Sequence, residues 1–193
     1  MKIHKPVKKS ARTKEHPKKK LGYLHIYTGE GKGKTSAALG VLLRAAGQGH
    51  NVVMIQFLKG NKASGELLAY QKLGPNVEIL QFGRDDLASL QELQTVDAYL
   101  ATQGLQYARD IMQQRRPDVL ILDELATAVY HRLIPVRDVI DFLDNRHRNT
   151  EVIVTGYKTH PALLNMADLV TVMQAAKHYF DYANFEPRLG IEV

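Results

Sequence analysis

Short apolar runs alternate along this chain with longer stretches of helical periodicity. The runs fall at residues 21–27, 51–57, 77–82, 119–122, 151–155 and 169–172, all short enough to be strands. The second, Asn51-Val52-Val53-Met54-Ile55-Gln56-Phe57, is continuous rather than alternating, which predicts burial on both faces, as in a parallel sheet. Between the runs, residues 36–46 place Ala38, Leu39, Leu42 and Ala45 at helical spacing and stop near Gly47 and Gly49. A short helix is expected over 65–73 and the longest over 85–116. In the latter Leu87, Leu90, Leu93, Leu100, Ile111 and Met112 recur among polar residues, Gly104 is a point of weakness, and Arg115-Arg116-Pro117 forms the end. Further helices are expected over 135–146, with Pro135 in the first turn, and over 161–167. Strand and helix in alternation predict a three-layer α/β/α sandwich with a mainly parallel central sheet, in one domain over 21–193.

In such sheets ligands lie at the carboxyl ends of the strands, where this pattern gathers the loops at 28–35, 58–61, 82–86, 123–125 and 155–158. The first reads Thr28-Gly29-Glu30-Gly31-Lys32-Gly33-Lys34-Thr35-Ser36. A strand that turns through glycines into a helix N-terminus makes a nest of backbone N–H groups suited to a chain of phosphates. Gly31 and Gly33 are expected to allow close approach and positive φ. Lys34 is expected on the outer phosphates, and the Thr35 hydroxyl on Mg²⁺. The common pattern G-x-x-x-x-G-K-[ST] wants glycine where Thr28 stands, so the loop is one residue shorter than usual. A second feature, Val119-Leu120-Ile121-Leu122-Asp123-Glu124, is an apolar strand ending in two carboxylates, the expected place for a metal beside a phosphate loop. Spacing leaves open which acid is the ligand. The fold expected is therefore of the P-loop nucleoside triphosphate hydrolase type.

Composition narrows the chemistry. With no cysteine among 193 residues, disulfides, thiolate metal sites and cysteine nucleophiles are excluded. The histidines show no zinc-binding spacing, and no apolar run approaches the length of a membrane span. Nine of the 26 Lys and Arg, but one of the 20 acids, lie in residues 1–20, so the net charge of +6 belongs to a basic tail and the remainder is net −2. That tail is read as solvated and mobile. The body lacks the broad basic face that duplex binding needs, and nucleic acid is not the expected partner.

Taken together, the short loop at 28–35, Arg44-Ala45-Ala46-Gly47, Gln56-Phe57-Leu58-Lys59-Gly60, Leu122-Asp123-Glu124-Leu125, Thr155-Gly156, Lys177-His178-Tyr179-Phe180-Asp181 and Gly190-Ile191-Glu192 resemble, in order, the ATP:corrinoid adenosyltransferases. The resemblance implies transfer of the 5′-deoxyadenosyl group of ATP to a Co(I) corrinoid, in adenosylcobalamin biosynthesis or salvage. It places ATP on Gly29, Glu30, Gly31, Lys32, Gly33, Lys34, Thr35, Ser36 and Arg44, Mg²⁺ on Thr35 with Asp123 or Glu124, and catalysis on Lys34, Thr35 and Glu124. Phe82, Lys177, His178, Tyr179 and Phe180 are implied on the corrinoid side. It also implies a cytoplasmic homodimer served by a reduced flavin or flavoprotein, with the tail as a possible lid. The chain departs from the family in having Tyr157 where arginine is usual and no tryptophan near Phe82. The alternative is a P-loop ATPase that hydrolyses ATP, nucleic-acid-associated through its tail.

Overall fold

The computed structural model describes residues 21–85, 90, 92–179, 186 and 188–192. The basic tail and Phe180, named above, lie outside them. In chain order the elements are β1 (Leu24–Thr28), α1 (Lys34–Gly47), β2 (Val52–Phe57), α2 (Gly65–Tyr70), β3 (Val77–Phe82), α3 (Thr95–Gln114), β4 (Val119–Asp123), α4 (Leu125–Tyr130), α5 (Val136–Asp144), β5 (Glu151–Thr155), α6 (Pro161–Met166) and β6 (Leu169–Val172). The strands form one sheet in the order β3-β2-β4-β5-β1-β6, and every pairing is parallel, not merely most of them.

Alternate side chains of each strand supply two cores, as the twofold period of a strand requires. On one face Leu24, Ile26, Ile55, Phe57, Leu120, Leu122 and Val154 pack under α3, α4, α5 and α6. On the other Tyr27, Met54, Ile79, Ile121 and Ile153 meet Ala38, Leu42 and Ala45 of α1. Two layers of helix thus enclose a sheet whose middle strands are buried throughout. At one edge β6 pairs only with β1, and its four residues are exposed.

Two elements differ from expectation. The first strand begins at Leu24 rather than residue 21, because Gly22 takes φ 127° and the Glu151 carboxylate accepts from the Gly22 and Tyr23 N–H groups at 2.8 and 2.9 Å. The longest helix begins at Thr95 rather than residue 85. Its start is fixed by a capping box in which the Asp97 carboxylate accepts the Gln94 N–H at 2.7 Å, and the buried Asp97 also pairs with Arg84 at 3.0 Å. Gly104 does not break this helix. A Cβ there would lie 2.9 Å from the Phe57 ring and 3.1 Å from Phe82, so glycine is what lets α3 sit down on the sheet. Gly104→Val is accordingly expected to lower unfolding free energy by about 2 kcal/mol through overpacking, read as a drop in urea midpoint at unchanged slope.

Candidate active site

The strand order makes the site. From β1 the chain leaves for β2 and β3, returns to fill the gap with β4 and β5, and ends with β6 on the far side of β1. The loop after β1 therefore faces the end of β4 across the end of β5, at the point where the order reverses.

The loop itself is built as a turn into a helix. Gly29 and Gly33 take φ 103° and 117°, in the left-handed region. Gly31 does not; its need for hydrogen at Cα comes from elsewhere. A Cβ on Gly31 would come within 2.8 Å of the Gln174 carbonyl carbon, and its N–H donates to Met173 O at 2.8 Å. The segment after β6 thus forms one wall of the loop. Gly33 caps α1 without any side-chain bond among the described residues, leaving the N-terminal end of a fourteen-residue helix turned toward the loop. Lys34 folds back over the turn, its Nζ donating to the carbonyls of Gly29 and Gly31 at 2.8 Å each. Burial pulls the Lys34 ammonium below the ordinary lysine value, against the pull of Glu124 and Asp123.

Across from the loop, Asp123 is fully buried and saturated with donors. Its Oδ1 accepts from Thr35 Oγ1 at 2.8 Å and Thr155 Oγ1 at 2.7 Å. Its Oδ2 accepts from Lys59 Nζ at 2.8 Å and Gln56 Nε2 at 3.3 Å. The register explains this gathering, because Gln81, Gln56 and Asp123 lie opposite one another on β3, β2 and β4. Gln81 Nε2 donates to Gln56 Oε1 at 3.0 Å, and Gln56 passes a second bond to Glu66 at 3.1 Å. A polar row therefore crosses the sheet just beneath its carboxyl edge. Burial works against the Lys59 ammonium, yet Asp123, with Glu124 and Glu66, holds it above the ordinary lysine value.

Glu124 sits differently. Its backbone is left-handed at φ 63°, its N–H donates to Thr155 Oγ1 at 2.9 Å, and its carboxylate accepts from the Thr127 hydroxyl. Burial first, then the Asp123 charge, raises its pKa. A carboxyl with a raised folded-state pKa stabilises the fold fully below its unfolded pKa, and that contribution is lost as pH rises through the folded pKa. Glu124→Gln keeps the acceptor for Thr127 and removes the charge. In metal-free buffer its melting temperature is therefore expected to gain on the parent as pH climbs from about 4 to about 8. Parallel melting curves would overturn this.

Of the other residues named from sequence, several converge and others do not. Lys32 donates to Glu192 Oε1 at 2.6 Å, Tyr179 Oη at 2.7 Å and Ile191 O at 3.1 Å. Arg188 and Lys32 hold the Glu192 carboxyl far below the usual range. Glu30 accepts from the Tyr157 hydroxyl at 3.1 Å, so the residue that replaces the family's arginine touches the loop. The His178 ring lies tilted beside that of Tyr179 with ring centres 4.7 Å apart, Lys177 is exposed close by, and Ser36 is exposed on the first turn of α1. Arg44 lies in the last turn of α1, about 15 Å along the axis from Lys34 at 1.5 Å per residue, and is not brought to the loop. Phe82 turns toward α3, its ring centre 5.7 Å from that of Tyr107, and packs the core edge. Sequence reasoning put Lys59 and Thr155 in loops at this edge, but gave neither them nor the Gln56–Gln81 pair a role at the site. The signal available for them was their place at strand ends facing the same edge.

A phosphate loop at a helix N-terminus, an acid at the end of a neighbouring buried strand and an all-parallel sheet define a P-loop nucleotide-binding α/β protein. The chain belongs to the ATP:corrinoid adenosyltransferase BtuR/CobO/CobP family, whose model matches residues 20–193, and as a member it is a transferase. It is 33% identical over 171 residues to the corrinoid adenosyltransferase CobA of Salmonella typhimurium, covering 89% of this chain and 85% of that one. It is 32% identical over 171 residues to the corrinoid adenosyltransferase of Escherichia coli K12, with the same coverage. Among solved structures, the flagellar accessory protein FlaH of Methanocaldococcus jannaschii shares the fold at TM-score 0.55 and 13% identity, over 79% of this chain and 71% of that one.

Proposed function

We propose that this transferase moves the 5′-deoxyadenosyl group of ATP to the cobalt of a Co(I) corrinoid and releases intact triphosphate. The observation that carries the reading is the joining of Lys34, Thr35 and Asp123 at one edge of the sheet, within a chain that matches the adenosyltransferase family. Hydrolysis of ATP uses the same loop and acids, but family membership does not favour it.

The chemistry explains why so few acid–base groups are needed. Co(I) is the nucleophile; its electron pair forms the Co–C5′ bond while the C5′–O bond breaks, and the triphosphate leaves with the electron pair of that C5′–O bond. The protein therefore has to hold C5′ in line and stabilise the leaving anion. Lys34 and the backbone N–H groups at the start of α1 meet that anion. The hydroxyl of Thr35 and the Asp123 carboxylate, 2.8 Å apart, are hard oxygen donors of the kind Mg²⁺ takes. Among the described residues no cluster of three or more His or acidic side chains stands ready for a metal. That sparse set fits Mg²⁺, an ion that keeps several waters and takes phosphate oxygens as ligands. When bound, it supplies charge neutralisation on the triphosphate; Glu124 stands beside Asp123 as the second acid.

In the same reading ATP lies along Gly29 to Ser36. The corrinoid meets the face bearing Tyr179, His178 and Lys177. Helices long and apolar enough to cross a membrane are absent among the described residues. A cytoplasmic homodimer receiving electrons from a reduced flavin or flavoprotein completes the proposal. The decisive experiment incubates the protein with MgATP and chemically reduced cobalamin. Appearance of the adenosylcobalamin spectrum with stoichiometric triphosphate is expected. Release of ADP and phosphate without regard to corrinoid would overturn the reading.

A further inference from the structure

Lys59 is set in place by more backbone constraint than a surface lysine needs. Leu58, just before it, takes φ 61°, a left-handed conformation that a branched aliphatic residue adopts only when its surroundings enforce it. The enforcement is visible. The Leu58 N–H donates to Phe82 O at 3.1 Å, tying the loop after β2 to the end of β3. A Cβ on Gly83 would lie 2.3 Å from Lys59 N, and one on Gly60 would lie 2.5 Å from the Arg84 carbonyl carbon. The two loops therefore touch backbone to backbone, and Arg84 anchors them to α3 through the buried Asp97. The product of this arrangement is one ammonium 2.8 Å from Asp123 Oδ2 and 3.4 Å from Thr35 Oγ1, its side chain 30% exposed.

A carboxylate offers about four lone-pair sites, and Asp123 has four donors on them. Three are neutral; only Lys59 brings charge to a fully buried anion. Lys34, the other lysine at the site, bonds to loop carbonyls instead. We propose that Lys59 is the built-in counter-ion of Asp123, which keeps free divalent metal off the Thr35–Asp123 pair and yields only to metal that arrives on a triphosphate. This rests on reading that pair as the metal end of the ATP site. The ammonium and a hydrated divalent ion compete for the same carboxylate oxygen. A triphosphate tips the balance, because it brings the metal and also offers the displaced ammonium a new anion to pair with. Lys59 is thus a positioning residue that makes metal and nucleotide enter together.

The test uses Mn²⁺ as a paramagnetic probe and follows its binding by water-proton relaxation, with and without ATP. Free Mn²⁺ is expected to bind Lys59→Gln at least about tenfold more tightly than the parent chain. Lys59→Arg, which keeps the charge, is expected to exclude it as the parent does. In thermal melts without nucleotide, Lys59→Gln is expected to be destabilised in chelator and restored by millimolar-range divalent metal, while the parent does not respond. A Lys59→Gln chain that folds only with divalent metal present carries the same meaning. Equal Mn²⁺ affinity in parent and Lys59→Gln, or a Lys59→Gln chain that metal does not rescue, overturns the counter-ion role. Mn·ATP binding to Asp123→Asn reads the underlying assignment separately: it is expected to weaken, and unchanged binding would overturn the metal end of the site and the counter-ion with it.

Discussion

Lys34→Ala is expected to lower kcat/KM for adenosyl transfer by about 10²- to 10³-fold, the scale of removing one electrostatic donor from a developing anion. In the proposed reaction charge builds on the triphosphate as C5′–O breaks, and this ammonium, held over the loop by two carbonyls, is the group we propose to meet it. Those carbonyls accept from the ammonium at a cost, since burial already pulls Lys34 toward the neutral form. In that proposal, exchange of loop carbonyls for phosphate oxygens relieves the cost where charge is developing. The loss is expected mainly in kcat, with the fold intact by circular dichroism. Steady-state kinetics at saturating reduced corrinoid measure it. Turnover equal to the parent's would take Lys34 out of the reaction.

Asp123→Ala is expected to act on both stability and activity. Removing one partner of a buried ion pair costs about 3–5 kcal/mol, and because Lys59 keeps some access to water the lower end, about 3 kcal/mol, applies here. The same substitution strips the acceptor from Thr35, Thr155 and Gln56 at once. Chemical denaturation and adenosyl transfer should therefore fall together. Lys34→Ala, by contrast, should reduce turnover alone. A stable but inactive Asp123→Ala chain would mean that the polar row carries no weight in folding.

Much of this arrangement was legible from residue order alone. The bounds of β3 and β5 and of the edge strand β6 follow from their apolar runs, and the turn into α1 follows from its glycines. What misled was periodicity without a partner. Leu87, Leu90 and Leu93 keep a helical spacing, yet α3 starts only at Thr95, where Gln94 and Asp97 supply the cap and Arg84 pins it from just beyond the end of β3. The roles of Lys59 and Thr155 were hidden for a related reason. Each gains its meaning only when strands far apart in sequence are laid side by side, so that Thr155 stands between the phosphate loop and its acid. Gly31 shows a third case. Its small size was read as room for phosphate, whereas the structure spends it on the backbone of residues 173–175.

That last contact sets a rule for how the enzyme comes into being. The glycine turn after β1 is made well before its wall, since Met173 and Gln174 emerge some 140 residues later, and Lys32 meets Glu192 later still. A nascent or prematurely halted chain that lacks residues 173–192 therefore presents the glycines without their support, and the turn is walled in only once that segment has been made.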